Sequence, residues 1–185
     1  MSILQHAELR DIDSPHLKVV LNWRNQDHIR SVMYHDHKIT IEEHKKWFEK
    51  VKKDKKTRVK IFYLQNVPLG VVNITKIDDN NSTCYWGFYI GEKNAPKGSG
   101  TIMGYLALKY IFEELKIRKL CAEVIGSNET SIRYHQKLGF NVEGILKKQI
   151  LKNSQYEDIV LMSIFQTDWE KQKEILKQLI EGMRI

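Results

Sequence analysis

The sequence predicts a mixed α/β fold of the α+β type, in which helices flank a largely antiparallel central sheet. Two observations predict it. In the first half of the chain, short β-branched and aromatic segments alternate with turn residues, which indicates an antiparallel meander. In the second half, a glycine-rich loop precedes an amphipathic helix, and strand and helix patterns then alternate, which indicates a β-α-β-α unit.

The length of 185 residues suits one domain with a sizeable core. We expect that domain to span residues 1–166. The remaining residues, 167–185, are predicted to form a C-terminal helix with an apolar stripe. This helix packs on the same domain or, as the alternative, on a partner in a homodimer.

The first half of the chain is predicted to contain one strand, two helices and then three strands. Residues 3–10 alternate weakly and indicate the first strand, and Ser14-Pro15 indicates a helix start. Thr40 and Glu43 form a capping box, which predicts the second helix. The three strands are 59–65, 70–75 and 83–90, with turns at 66–68 and 78–81.

The second half is predicted to alternate helices with strands. Gly139 ends the second of its helices. Asn153-Ser154 is predicted to be a hairpin turn, and Thr167 with Glu170 a capping box that opens the final helix. The elements before that helix are helix 100–115, strand 119–125, helix 128–138 and strands 145–152 and 156–165.

Composition excludes several classes of protein. Hydrophobic residues make up 42% and charged residues 29% of the chain, which is typical of a globular protein. No apolar run approaches the roughly 20 residues of a membrane span, and the first ten residues carry no apolar signal core. We therefore expect a cytoplasmic protein with no membrane partner. The net charge of +7 suits a nucleic acid or a smaller polyanion, and composition alone does not choose between them.

The two cysteines, Cys84 and Cys121, lie in apolar strand segments. Neither has a CxxC partner or a histidine at ligand spacing. We expect reduced, buried structural thiols and no metal site, with a catalytic thiol as the alternative.

The most informative segment is a glycine loop between a strand and a helix. The strand ends in the sequence YWGFYIGE at 85–92, and the loop contains Gly98, Ser99, Gly100 and Thr101. Glycines let backbone N–H groups converge on an anion, and the helix N-terminus adds positive potential, so the loop suits a pyrophosphate. Alone, this pattern is weak, because ordinary turns also use it.

A second group of residues opens the next helix. Asn128, Ser131 and Tyr134 are spaced three apart and share one side of it, and Leu138-Gly139-Phe140 follows. Together with the glycine loop, they resemble the coenzyme A site of the Gcn5-related N-acetyltransferase superfamily. The resemblance implies the fold of that superfamily, an N-acetyltransferase domain over 1–166 and acetyl-CoA as co-substrate.

The resemblance assigns cofactor-binding positions by motif. They are Ile90, Lys97, Gly98, Gly100, Thr101 and Asn128. Tyr134 is implied to lie at the sulfur as the acid that protonates the leaving thiolate, or else only packs its helix on the sheet. Members of the superfamily usually carry Gln or Arg where this chain has Ala95, and Lys97 is expected to supply the missing charge.

The acceptor side resembles the UDP-4-amino-sugar N-acetyltransferases of pseudaminic acid biosynthesis, from about residue 3 to 165. The matching motifs are WRN at 23–25, MY at 33–34, ITIEEH at 39–44, GVVNITK at 70–76 and GFYIGE at 87–92. That family acetylates the 4-amino group of UDP-4-amino-4,6-dideoxy-N-acetyl-β-L-altrosamine, on the way to a nonulosonic acid of bacterial flagellins. The resemblance therefore implies direct transfer to a UDP-amino sugar in a ternary complex.

The substrate-binding residues that this resemblance implies are Arg24, Met33, Tyr34, His44, Thr75, Lys76 and Glu123. Arg24 offers a fork for a phosphate and Lys76 a point charge, with surface roles as the alternative. Asn73 is implied to position the amine or an ordered water, with packing as the alternative. No carboxylate is a clear general base.

Two other functions stay open. Ribosomal-protein and polyamine acetyltransferases share the superfamily motifs, but a polyamine enzyme should show an acidic groove, and Arg24, Lys76 and His44 argue against one. A nucleic-acid-binding module would use the positive charge but would leave Asn128 and Tyr134 unexplained. We therefore expect a UDP-amino sugar as partner, with no nucleic acid.

Overall fold

The computed structural model describes residues 2–183, which form a seven-stranded sheet in the order β1-β2-β3-β4-β5-β7-β6. The strands are β1 (Ala7–Asp11), β2 (Arg58–Leu64), β3 (Val67–Asp78), β4 (Thr83–Ile90), β5 (Lys119–Ile125), β6 (Asn141–Lys152) and β7 (Gln155–Phe165). Neighbouring strands pair antiparallel except β4 and β5, which pair in parallel. The predicted mixed, largely antiparallel sheet is confirmed.

Helices cover both faces of this sheet. They are α1 (Leu17–Arg24), α2 (Asp27–Arg30), α3 (Ile41–Lys53), α4 (Ser99–Lys109), α5 (Glu129–Lys137) and α6 (Gln166–Glu181). Short 3₁₀ turns at Ile3–His6 and Ser14–His16 precede α1, and a π-helical turn at Tyr110–Glu114 extends α4. No helix in the described part of the chain combines the length and apolar character that a membrane crossing requires.

The two faces of the sheet bury separate apolar clusters. Successive side chains of a strand point to opposite faces, and in β3 Val71 joins one cluster while Val72 joins the other. The larger cluster packs β2, β3, β4, β5 and β7 against α4 and α6, with Trp169 fully buried. The smaller one packs Trp23 of α1 against β2 and β3. The sheet therefore has a wall of helices on each side.

The pairing between β4 and β5 is short. It consists of Thr83 with Lys119, Cys84 with Leu120 and Tyr85 with Cys121. Beyond Tyr85, β4 continues to Ile90 with pairing to β3 on its other side. β5 likewise continues to Ile125 alongside β7. The two central strands therefore separate toward their C-terminal ends and leave an opening in the sheet.

Two sequence predictions near the N-terminal half are wrong in detail. The segment predicted as strand 3–10 begins with a 3₁₀ turn, because the Ser2 hydroxyl accepts a hydrogen bond from the Leu4 N–H at 3.4 Å, and β1 starts only at Ala7. The turn expected at 66–68 lies instead at Gln65-Asn66. Both residues have positive φ, of 52° and 63°, as a two-residue hairpin turn requires, and β3 therefore starts at position 67.

The start of the last helix also differs from the prediction. The capping box expected from Thr167 and Glu170 is wrong, because α6 begins at Gln166 and the Asp168 carboxylate accepts from the Phe165 N–H at 3.4 Å. Strand β6 begins at Asn141, earlier than the expected 145, and pairs with β7 from there. The predicted Thr40–Glu43 capping box and the Asn153-Ser154 turn are confirmed.

Candidate active site

The opening between β4 and β5 leads into a cavity of about 520 Å³, called the β4–β5 cavity. A second cavity of about 440 Å³, the α3 cavity, lies between α3 and the strands β2 and β3. A smaller cleft of about 260 Å³, the α4 cleft, adjoins the N-terminus of α4. Tyr89 lines all three, so they form neighbouring compartments along β4.

The α4 cleft adjoins the predicted glycine loop. Gly98 caps α4 with a φ of 100°, a conformation that favours glycine, and the first N–H groups of the helix follow it. Ile90, Gly100 and Asn128 line the cleft. The loop therefore offers backbone donors and the positive end of a helix dipole beside an open space.

A second cation at the glycine loop, Lys137, was not predicted from the sequence. Lys97 is exposed. Lys137, from the last turn of α5, donates a hydrogen bond to the Thr101 hydroxyl at 2.9 Å. Its position three residues after Tyr134 on the same helix was the available signal, because residues three apart share a helix face.

Tyr134, a residue of α5, faces α4 and lines the α4 cleft. Its hydroxyl donates to the carbonyl oxygen of Gly100 at 2.5 Å, and its ring packs against Phe88. Burial raises the pKa of Tyr134 above its ordinary value. The hydroxyl therefore keeps its proton over the whole neutral range, as a proton donor must.

Asn128 caps the helix that carries Tyr134. Its side-chain oxygen accepts from the Ser131 N–H at 3.1 Å, which fixes the start of α5. Asn128 and Ser131 also line both the α4 cleft and the β4–β5 cavity. The capping residue thus stands where the two compartments meet.

His135 belongs to the site, although no sequence motif indicated it. It lines the β4–β5 cavity, is 3% exposed, and shares a 2.7 Å hydrogen bond between its Nδ1 and the Ser131 carbonyl oxygen. Trp86 and Phe140 contact its ring edge-on. Burial lowers the pKa of His135 to about 4, so it is neutral at pH 7.

The α3 cavity contains a stacked pair of rings. His44 and Trp47 stack with centroids 5.0 Å apart. His44 is 4% exposed, burial lowers its pKa, and its Nε2 is buried without a hydrogen-bond partner among residues 2–183. Asn73 and Thr75 line the same cavity from β3. A flat, apolar surface therefore lies beside an unused imidazole nitrogen.

Arg24 lies at the junction of the β4–β5 and α3 cavities and lines both. Its Nη2 donates to the His35 carbonyl oxygen at 2.8 Å. Its Nη1 is buried, and no atom of the described chain accepts a hydrogen bond from it. Burial lowers the pKa of Arg24, but a guanidinium stays protonated in proteins. An unpaired cationic donor therefore faces the junction.

A carboxylate, that of Glu123, forms part of the wall of the β4–β5 cavity. Glu123 accepts a hydrogen bond from the Tyr34 hydroxyl at 3.0 Å. Lys76 reaches the same carboxylate at 3.7 Å and lies over the Tyr85 ring, but it is exposed and lines neither cavity. Met33 lines both cavities beside Arg24. The structure thus brings the predicted acceptor residues together, with Lys76 outside the group.

The Cys84 thiol is not placed to act on a ligand in these cavities. Burial raises the pKa of the Cys84 thiol to about 12, and Cys84 lies in the core away from the cavities. Nowhere within residues 2–183 do three or more His, Cys, Asp or Glu side chains gather in a way that could hold a metal ion.

Comparison with known proteins places this site in a family. Residues 6–141 match the family model of the acetyltransferase (GNAT) domain. Acetyltransferase PseH of Campylobacter jejuni is 26% identical over 132 residues, which cover 71% of this chain and 81% of that protein. Spermidine N(1)-acetyltransferase of Escherichia coli is 34% identical over 97 residues, about half of each chain.

A solved structure supports the same fold. Spermidine N-acetyltransferase of Vibrio cholerae, crystallised with CoA and spermine, superposes with a TM-score of 0.84 at 22% identity. The match covers 90% of this chain and 99% of that one. Because the family model spans well over half of the sequence, and because the sheet opening and glycine loop agree with it, the chain belongs to the GNAT family of N-acetyltransferases.

Proposed function

We propose that the enzyme acetylates the 4-amino group of a UDP-linked 4-amino-4,6-dideoxy sugar, a step of pseudaminic acid biosynthesis, by direct transfer from acetyl-CoA in a ternary complex. The observation that carries the proposal is the buried, unpartnered Nη1 of Arg24 at the junction of the two larger cavities. A buried cationic donor without a partner is costly, and a ligand phosphate would satisfy it.

The composition of the α3 cavity supports an anionic acceptor. Arg24 and three histidines, His35, His37 and His44, contribute to its wall. Its carboxylate, Glu43, accepts from the Thr40 N–H at 2.7 Å in the capping box of α3. The wall therefore offers donors for a diphosphate, and the stacked His44–Trp47 pair offers a flat surface for a pyrimidine.

The α4 cleft fits acetyl-CoA. The left-handed Gly98 and the exposed N-terminus of α4 form a cradle for a pyrophosphate, and Lys137 beside Thr101 adds a cation there. The separated end of β4 leaves room for an extended chain along Phe88 to Ile90. Acetyl-CoA supplies an acetyl thioester when it is bound.

The residues around the junction have distinct tasks in transfer. Tyr134, which lines the α4 cleft, holds a proton on its hydroxyl for the departing thiolate. Asn73 and Thr75 present polar groups to the acceptor from β3. Glu123, on the wall of the β4–β5 cavity, offers a carboxylate to the amine, which must lose a proton before it attacks.

A polyamine acceptor is the second candidate. The similarity to the Escherichia coli spermidine enzyme favours it, since that relative is more identical over its shorter match than PseH is. Glu123 and Glu43 would then receive the cationic amines. Against it stands Arg24, whose charge at the junction would repel a polycation.

Titration calorimetry of the free enzyme tests the choice. We expect UDP to bind the wild-type protein and to lose that binding in Arg24→Ala, while spermidine neither binds nor competes with UDP. Saturable spermidine binding with no heat from UDP would reject the sugar-nucleotide acceptor and favour the polyamine.

A further inference from the structure

A segment without helix or strand, residues 31–40, forms a wall shared by both acceptor-side cavities. We call it the acceptor loop. Its members that line one or both cavities are Val32, Met33, Tyr34, His35, His37 and Ile39. None of its residues, all of which the structure describes, lines the α4 cleft. A shift of this loop would therefore change the shape of the β4–β5 and α3 cavities and leave the α4 cleft unchanged.

Cationic side chains hold the acceptor loop by its backbone carbonyl oxygens. The donor and acceptor pairs are Arg24 with His35, Arg30 with Asp36, and Lys152 with Met33. Because the loop belongs to no strand ladder and no helix, these contacts, together with two between the Asn25 side chain and the Ile39 backbone, supply partners for its backbone groups. Each one can be removed by changing a single side chain.

Lys152 is the most unusual of these donors. It is the last residue of β6, and its Nζ donates to the Met33 carbonyl oxygen at 2.5 Å and lies 3.8 Å from the Asp36 carboxylate. Its side chain is 7% exposed, and within β6, which the structure describes in full, it alone is buried. Lys147 of the same strand instead pairs with Asp158 at the surface, at 2.9 Å, with 73% of its side chain exposed.

Burial of a lysine is costly unless its ammonium is paired. At Lys152 the partners come from the acceptor loop, which is distant in sequence from the strand that carries the lysine. The side chain lines neither of the acceptor cavities nor the α4 cleft. Its contacts therefore hold the loop and bind neither substrate.

We infer that Lys152 is a positioning residue that fixes the acceptor loop and thereby sets the affinity of the enzyme for its amine acceptor. The inference rests on the proposal that the β4–β5 and α3 cavities bind the acceptor. It is independent of which amine that acceptor is.

The test compares Lys152→Met with Lys147→Met, which removes a charge from the same strand without touching the loop. We expect Lys152→Met to raise the acceptor KM about tenfold, as loss of a hydrogen bond to a charged group predicts, with the acetyl-CoA KM within about twofold of wild type. Amide hydrogen exchange should become faster at residues 31–40 and stay unchanged in β4 and α4. Lys147→Met should match the wild type in all of these measurements.

An unchanged acceptor KM in Lys152→Met would overturn the inference, and so would an equal rise in both KM values or faster exchange throughout the domain. If Lys152→Met does not fold, Lys152→Gln, which keeps a shorter donor, is measured in its place with the same criteria. A wild-type enzyme that acetylates spermidine instead of the sugar nucleotide refutes the proposed function alone, because the Lys152 comparison is then made with spermidine.

Discussion

The hydroxyl of Tyr134 occupies the space that a β-carbon on Gly104 would need. Gly104 lies in α4 and Tyr134 in α5, and the missing side chain lets the hydroxyl reach the Gly100 carbonyl oxygen one turn earlier in α4. The two helices therefore meet at a hydrogen bond whose donor is the proposed acid.

Replacing Tyr134 by Phe removes only that donor and keeps the ring against Phe88. We expect kcat to fall at least about 100-fold, in the range that a general acid contributes, with both KM values little changed. Steady-state kinetics with chemistry confirmed as rate-limiting checks this. Tyr156→Phe, at an exposed tyrosine of the β6–β7 hairpin, serves as the control. Full turnover by Tyr134→Phe would refute the acid role.

Gly104→Ala tests the same hydroxyl without changing Tyr134. The new methyl group would displace the hydroxyl and press on Leu138, so we expect kcat to fall about tenfold or more and the thermal midpoint to drop. Gly144→Ala is the matched control, since nothing lies within 4 Å of a β-carbon there. A folded Gly104→Ala variant with normal activity would show that catalysis does not depend on the position of the Tyr134 hydroxyl.

Arg24→Ala should raise the acceptor KM about tenfold or more and leave the acetyl-CoA KM nearly unchanged, because Arg24 lines the acceptor cavities and not the α4 cleft. Arg30→Met is the informative control. Arg30 also holds the acceptor loop but lines no acceptor cavity, so its effect should be smaller. Equal increases in both KM values for Arg24→Ala would count against a phosphate contact.

Lys137 and Lys97 are the two candidates for the positive charge expected at the glycine loop. Lys137 is held by its hydrogen bond to Thr101 beside the first turn of α4, whereas Lys97 is exposed. We expect Lys137→Met to raise the acetyl-CoA KM more than Lys97→Met does, with the difference shrinking as ionic strength rises. The reverse order, measured at the same salt concentration, would assign the charge to Lys97.

The stability of the fold should depend on pH through His135. Its pKa is lowered to about 4 in the folded protein, so its contribution is fully present above about pH 6.5, the pKa of an unfolded histidine, and is lost as pH falls toward 4. The shift corresponds to roughly 3 kcal/mol at most. Urea unfolding of wild type and His135→Gln between pH 4 and 7 checks this. The variant should show a shallower loss, and parallel curves would contradict the prediction.

The architecture was predictable because its signals are local. The capping box of Thr40 and Glu43 and the positive-φ pair Asn153-Ser154 depend on neighbouring residues alone. The start of α6 was misplaced because Thr167 and Glu170 match a capping pattern in the sequence, whereas the actual N-cap is Phe165, the last residue of β7.

The site was only partly predictable because its parts come from distant elements. The motifs indicated Asn128 and Tyr134 at the α4 cleft. Nothing in the sequence indicated that His135 faces the β4–β5 cavity or that Lys152 reaches Met33, 119 residues away. Such contacts arise from the sheet order, which places β6 at an edge beside the acceptor loop.

The most direct test measures thiol release from acetyl-CoA with the UDP-4-amino sugar, spermidine and a ribosomal-protein peptide as separate acceptors. The proposed function predicts turnover with the sugar nucleotide and none above background with the other two. Turnover with spermidine or the peptide and none with the sugar nucleotide would contradict it, and would leave a GNAT enzyme with a different acceptor.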